Sequence, residues 1–479
     1  MLPKKSNAPF YLMMAAVLTV IMTFLAMHMG YCEMILTEKG ETDIGIFKLL
    51  QGAIETISSN PFCVFPPKSE YFSNLPVMLI FTYLLVGYVF YDEQRNKHDS
   101  SKIVQGSAKW NTDYKKYNKK YSDPAGSKKN DGSYNMILSE HVRLNMNTKK
   151  TFLNNNVLVI GGSGSGKTRY LLKPNILQAN ASYVITDPSG EILASTGTFL
   201  KEQGYKIKVF NLVDMVKSDR YNPFNYIRDE TGVNQLINCL IKNTNDGKSG
   251  GDPFWEKSEI ALLQALIFYL INHRPKKEQN FSSVMKLLRA CQIDENNPDA
   301  KSKLDLIYEQ IGKEDPNDVG YKSYLTFKMG AGKTLKSILI SCGVRLNHFN
   351  IPTIANLTTE DTIDLKTLGD EKQALFIIIP AADDTYNFLV SMMYTQLFET
   401  LYYHAEIECP AGFYIRKENG DMDRFIQNED EANAYLMEHA GYKKEKGSNH
   451  LAFHTRFLLD EFANVGQIPS FEKKNCNIS

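Results

Sequence analysis

The sequence predicts an α/β fold carrying an all-helical insertion, preceded by two helices long enough to cross a bilayer. Three observations carry that expectation. A short apolar run at 157–160 breaks into a glycine-rich loop and then a helical segment. Further apolar runs at 181–191, 205–212, 374–380 and 455–459 alternate with helical patterns, as in a parallel sheet covered by helices. Two stretches near the N-terminus, 9–30 and 71–91, contain no Lys, Arg, Asp or Glu.

The 479 residues are 43% hydrophobic and 23% charged with zero formal net charge, which excludes a disordered or fibrous chain. A balanced total neither favours nor excludes nucleic acid, because a local patch can hide within it. The seven cysteines show no CxxC or Cys/His spacing of a zinc site.

Each uncharged stretch is about the 20 residues a helix needs to span a bilayer. Tyr71, Phe72, Tyr88 and Tyr91 stand where interfacial aromatic anchors belong. Lys4 and Lys5 precede the first span, and Arg95, Lys97, Lys102 and Lys109 follow the second. The intervening loop, 31–70, holds more acids than bases. The positive-inside rule therefore places both termini in the cytoplasm and the loop outside, for a multi-pass protein of the cell membrane. Cys32 and Cys63 would share the outer compartment, either paired or as reduced thiols. Residues 92–150, rich in Lys, Asn, Ser and Tyr, read as a basic juxtamembrane linker or as a collar guiding nucleic acid.

Residues 161–168 (GGSGSGKT) satisfy G-x-x-x-x-G-K-[ST] in full. Glycines at Gly161, Gly162, Gly164 and Gly166, spaced by Ser163 and Ser165, let backbone N–H groups close around a triphosphate. Lys167 would reach the β- and γ-phosphates, and the Thr168 hydroxyl would ligate Mg²⁺. Arg169 continues the loop into a helix over 167–178, shortened or kinked by Pro174. The expected cofactors are thus ATP and Mg²⁺. The strand at 181–191 ends in Asp187-Pro188; Asp187 sits either beside the nucleotide or in a turn.

Residues 228–348 read as a run of helices separated by polar turns, with Ile260, Leu263, Ile267 and Leu270 on one face of a helix over 256–272. A second GKT, at 332–334, lacks a preceding strand and reads as the start of a helix. The sheet resumes at 374–380, followed by a helix at 385–402. Residues 404–450 read as a solvated insertion. At 455–466 (TRFLLDEFANVG) an apolar strand ends in two acids, the Walker B pattern. Asp460 would hold Mg²⁺, and Glu461 would orient and polarise the attacking water. Only eighteen residues follow Glu461, so the nucleotide domain is expected to be incomplete at its C-terminus.

The motifs GSAKW (106–110), NNNVLVIGGSGSGKTR (154–169), ITDPSGE (185–191), NPFNYI (222–227), DPFWEKSE (252–259), GKTLKSIL (332–339) and LLDEFANVG (458–466) together resemble the type IV secretion coupling proteins of the VirD4/TraG family. The form is that of Gram-positive conjugative elements. The resemblance implies a membrane-anchored, homo-hexameric, RecA-like P-loop ATPase whose helical domain receives a relaxase joined to single-stranded DNA and passes it to a secretion channel. It implies roles for Lys167, Thr168, Asp460 and Glu461 at phosphate, metal and water. Ser189 departs from the Lys found in many members. Against the family pattern, the short end after Glu461 leaves the sensor and the cross-subunit arginine unaccounted for in this sequence. The resulting layout is a membrane anchor at 1–91 and a basic linker at 92–150. A RecA-like domain follows at 151–227 and 349–479, interrupted by an all-helical insertion at 228–348. A coupler of protein effectors without DNA, and a remnant that binds nucleotide at most, remain alternatives.

Overall fold

The computed structural model describes residues 8–42, 44–59, 61, 74–103, 113–124, 135–244, 253–291, 300–330, 332–381 and 383–472. Lys4, Lys5, Cys63, GSAKW (106–110) and the final KKNCNIS (473–479) lie outside the described residues. The chain forms two compact units, Met1–Thr112 and Asp113–Ser479.

The first unit contains α1 (Ala8–Glu38), α2 (Ile46–Ser59) and α3 (Asn74–Ile103). Tyr11 meets Phe90 edge-on at 5.2 Å between ring centroids, and Thr19 Oγ1 donates to Tyr83 OH at 3.1 Å, so α1 and α3 run antiparallel. Phe10–Glu38 and Leu75–Asp92 are long and apolar enough to cross a membrane. They leave Leu12, Val20, Ile80 and Leu84 exposed, surface that hydrocarbon solvates better than water. The expected loop between the spans instead contains α2. Its apolar positions bury Leu49 and Ala53 against Met29, a periodicity hidden in a charged stretch. Cys32 is a buried free thiol.

The second unit begins with α4 (Tyr114–Tyr121), β1 (Asn135–Ile137), β2 (Arg143–Asn145) and α5 (Thr148–Thr151). After the glycine loop come α6 (Lys173–Ile176), β3 (Ser182–Asp187), α7 (Glu191–Glu202) and β4 (Lys206–Asn211). Among the described residues seven α-helices follow: α8 (Glu230–Asn243), α9 (Pro253–His273), α10 (Phe281–Ala290), α11 (Lys303–Glu314), α12 (Val319–Lys328), α13 (Gly332–Arg345) and α14 (Pro352–Thr359). The chain then returns through β5 (Gln373–Ile378), α15 (Asn387–Tyr403) and the one-turn α16 (Cys409–Ala411). It ends in β6 (Phe413–Arg416), β7 (Met422–Ile426), α17 (Glu429–Glu438), β8 (Lys443–Lys446) and β9 (Thr455–Leu459).

Strands β4, β5, β3 and β9 form, in that order, a parallel four-stranded sheet. This is the α/β class expected, with the helices α8–α14 inserted between β4 and β5. Every residue of β3 and β5 is buried, because helices cover both faces of a parallel sheet. On one face Val184, Leu375, Ile377 and the helical insertion share a core; on the other, Tyr183, Ile185 and Phe376 pack with Leu172 and Ile176 of the segment after the glycine loop.

Three expectations need correction. Residues 157–160 are not a strand of this sheet, and Leu158 and Ile160 are 85% and 88% exposed. An apolar run signals burial, whereas a strand also needs a partner edge, and among the described residues none pairs with it. Helix α9 is not amphipathic but buried almost all round, including Ala261, Leu262, Ala265 and Leu266. The stretch 404–450 is not merely solvated. Strands β7, β6 and β8 form an antiparallel sheet over a small core of Cys409, Tyr414 and Phe425. The second GKT opens α13, as expected of a helix start.

His404 ties this small sheet to the main body. Its ring nitrogens lie 2.5 Å from Asp370 Oδ1 and 2.6 Å from Glu408 Oε2, and Phe425 meets the ring edge-on. Burial alone lowers the His404 pKa, but the hydrogen bond to Asp370 and its charge outweigh burial and raise it from 6.5 to about 11. A raised folded-state pKa stabilises fully below the unfolded value, and that contribution is lost as pH climbs through the folded one. Thermal midpoints of His404→Gln and wild type should therefore differ most just below pH 6.5, draw together as pH rises above it, and converge as pH approaches 11.

Candidate nucleotide site

The glycine loop owes its shape to positions that only glycine occupies without strain. Gly164 and Gly166 have φ of +73° and +83°, and a Cβ on Gly161 would come within 2.6 Å of Ser165 Oγ. Lys167 Nζ donates to the carbonyls of Gly161 and Gly162 at 2.9 and 3.1 Å, folding the ammonium across the loop mouth. Residues 161–165 are exposed, which leaves their backbone accessible to an anion. Arg169 is also exposed, its guanidinium 5.7 Å from the Tyr170 ring centroid.

The expected helix over 167–178 begins as a π-helical turn, Thr168–Leu172, and becomes α-helical at Lys173–Ile176. Pro174 has no N–H, and its ring crowds the carbonyl four residues back; a wider preceding turn relieves that clash. The helix is anchored from its far end. Asn175 Nδ2 donates to Ile137 O at 2.8 Å, and Ile137 N donates to Asn175 Oδ1 at 2.9 Å.

Thr168 and Asp460 are 292 residues apart in sequence, yet Thr168 Oγ1 donates to Asp460 Oδ2 at 2.5 Å. The register explains this. Parallel pairing sets Thr186 opposite Leu459, and Asp187 and Asp460 are the next residues along, at the carboxyl ends of β3 and β9. Asp187 is buried; its Oδ2 accepts from Leu193 N at 2.8 Å, capping the first turn of α7. Glu461 follows with φ 50° and ψ 47°, a left-handed conformation costly for a residue with a side chain, and is exposed.

The segment after Glu461 is held by residues that sequence reasoning missed. Asn243, the last residue of α8, donates to Gln467 O at 2.8 Å and accepts from Gln467 N at 2.7 Å. Ser391 Oγ donates to Val465 O at 2.7 Å, and Asn387 Nδ2 donates to Asn464 O at 2.5 Å. Gly466, at φ +80°, lets the backbone pass; a Cβ there would meet Ser391 Oγ at 2.5 Å. The available signal was a polar residue interrupting an apolar helix face, as Ser391 does within FLVSMMY.

Thr168 and Asp460 supply hard oxygen donors side by side, the type Mg²⁺ takes, and Asp187 Oδ1 is a buried oxygen with no hydrogen-bond partner. The donor set fits that ion. Glycine-loop N–H groups and the Lys167 ammonium fit a triphosphate.

The family of type IV secretory system conjugative DNA transfer proteins matches residues 110–409, more than half of the chain. The chain belongs to this family. The match includes Lys167, Thr168 and Asp187 and ends before Asp460 and Glu461. Solved structures that this chain resembles include the bacterial conjugative coupling protein TrwBdeltaN70 in complex with sulphate, at 15% identity and TM-score 0.33, covering 50% of this chain and 51% of that one. Another is the plasmid coupling protein TrwB in complex with ADP and Mg²⁺, at 16% identity and TM-score 0.34, covering 50% and 51%. The chain thus spans about half the length of these structures. No curated protein matches the sequence.

Proposed function

We propose that this chain is a membrane-anchored ATPase that couples ATP hydrolysis to transfer of a relaxase–single-stranded-DNA substrate into a type IV secretion channel, acting as a homo-hexamer with both termini cytoplasmic. The contact between Thr168 and Asp460 carries the reading, because it joins the phosphate loop to the acidic strand end in one site. The family match to conjugative DNA transfer supports the DNA substrate. The TrwB complex with ADP and Mg²⁺ supports the cofactor pair.

In this reading, residues 161–169 hold the phosphates, with Lys167 leaving its loop carbonyls for the terminal phosphate. Thr168 and Asp460 would hold Mg²⁺, which neutralises phosphate charge when bound. Glu461 orients a water for in-line attack, and Asn243, Asn387 and Ser391 fix its loop. A second reading, nucleotide binding without turnover, is favoured by the unpaired, exposed 157–160 segment directly before the loop.

Single-stranded DNA binding, followed by fluorescence anisotropy across a salt series, tests the substrate class. A DNA coupler should lose affinity linearly on a log–log salt plot, as phosphate contacts demand. Absence of DNA binding at low salt would move the chain to a coupler of protein effectors.

A further inference from the structure

We infer, on the Mg·ATP reading above, that Asp187 is a second carboxylate of the metal site, holding a metal-bound water through Oδ1.

Three independent features converge on it. The first is register: Thr186 and Leu459 are the last paired residues of β3 and β9, and Asp187 and Asp460 follow directly on that pair. Neighbouring strands lie about 4.8 Å apart, so the two acids leave the sheet from adjacent strand ends.

The second is the face. Along β3, Tyr183 and Ile185 pack with Leu172 and Ile176 of the phosphate-loop segment, and Leu458 of β9 packs against the same cluster. Alternation carries that face on to Asp187. Thr186, one step away, points oppositely, its Oγ1 lying 2.7 Å from Tyr394 OH of α15. Asp187 therefore faces the side from which Thr168 approaches Asp460.

The third is an unmet bond. Asp187 is 1% exposed, and the cap on α7 uses only Oδ2; Oδ1 has no partner. A buried acceptor left without a hydrogen bond is destabilising, so such an atom calls for a donor. Among the described residues no Lys or Arg pairs with either Asp187 or Asp460, and Lys167 is turned to its own loop carbonyls. Two adjacent carboxylates lacking a side-chain cation suit a divalent ion and its ordered waters.

Asp187 is thus a positioning residue, and its two oxygens have separable duties: one caps α7, the other holds water on the metal. Mn²⁺ binding to the full-length ADP complex, read by electron paramagnetic resonance, separates them. In Asp187→Asn the side-chain oxygen still accepts from Leu193 N–H, whereas the second position becomes a donor. Mn²⁺ affinity should fall about 10–100-fold, with ADP affinity in EDTA unchanged. In Leu193→Pro the cap donor is removed and the carboxylate kept; Pro is tolerated in a first helical turn, and Mn²⁺ affinity should remain that of wild type. The inference is overturned if Asp187→Asn keeps wild-type Mn²⁺ affinity. It is equally overturned if that variant loses metal-free ADP binding along with Mn²⁺, for then Asp187 supports the nucleotide site as a whole and not the metal. A wild-type chain that binds ADP in neither condition refutes the nucleotide reading itself.

Discussion

Lys167→Ala should abolish measurable ATP turnover, and Glu461→Gln should do so while leaving nucleotide bound. The two substitutions remove different things. Lys167 is the only positive side chain within the glycine loop itself, and its loss leaves the phosphate charge to backbone N–H groups. Losing one such preorganised charge from a phosphoryl-transfer site costs about 10²–10³-fold in rate, and ground-state binding weakens with it. Glu461 is exposed and follows Asp460, the carboxylate proposed to hold the metal, so the isosteric Gln should alter the handling of water rather than the holding of phosphate. Fluorescent-nucleotide binding alongside phosphate release checks both. Equal losses of binding in the two variants would place Glu461 in nucleotide binding instead.

Glu259→Ala should destabilise the helical insertion severely. Glu259 is buried in α9 and accepts from Arg345 of α13 at 3.0 Å (Nε) and 2.8 Å (Nη2), with Ser341 donating to its other oxygen. Arg345 also reaches back to α8, donating to Ile241 O at 3.2 Å and Thr244 Oγ1 at 2.6 Å. One ion pair thus joins three helices in a core otherwise lined by Leu262, Ile338 and Cys342. Removing one partner strands the other charge in a low-dielectric interior, at about 3–5 kcal/mol. Replacing both residues with apolar ones of similar size, as in Glu259→Leu with Arg345→Met, should recover most of the loss. Urea midpoints of the single and double variants measure the difference, and additive losses would show that the two charges are not coupled.

The same insertion explains why Asn243 escaped a reading of the sequence. Its hydrogen bonds to Gln467 cross 224 residues, and no local pattern encodes that distance. The phosphate loop and the Asp460–Glu461 pair were legible because their chemistry requires contiguous residues in fixed order. Strands β3 and β5 were legible because a strand buried on both faces is a continuous apolar run. That same signal misled at 157–160, since composition reports a wish for burial and not the presence of a pairing edge. It misled again at 404–450, where polar surface residues outnumber a core built from Cys409, Tyr414 and Phe425. His404 has one partner, Glu408, a helical turn away, but its other partner, Asp370, lies 34 residues upstream.

The most direct test of the central claim is steady-state ATP hydrolysis by the full-length protein in lipid nanodiscs, with and without single-stranded DNA. Turnover that rises on adding DNA and disappears in Lys167→Ala is the predicted result. Nucleotide binding with no turnover under either condition would contradict a working motor and leave a nucleotide-binding protein of the conjugative transfer family.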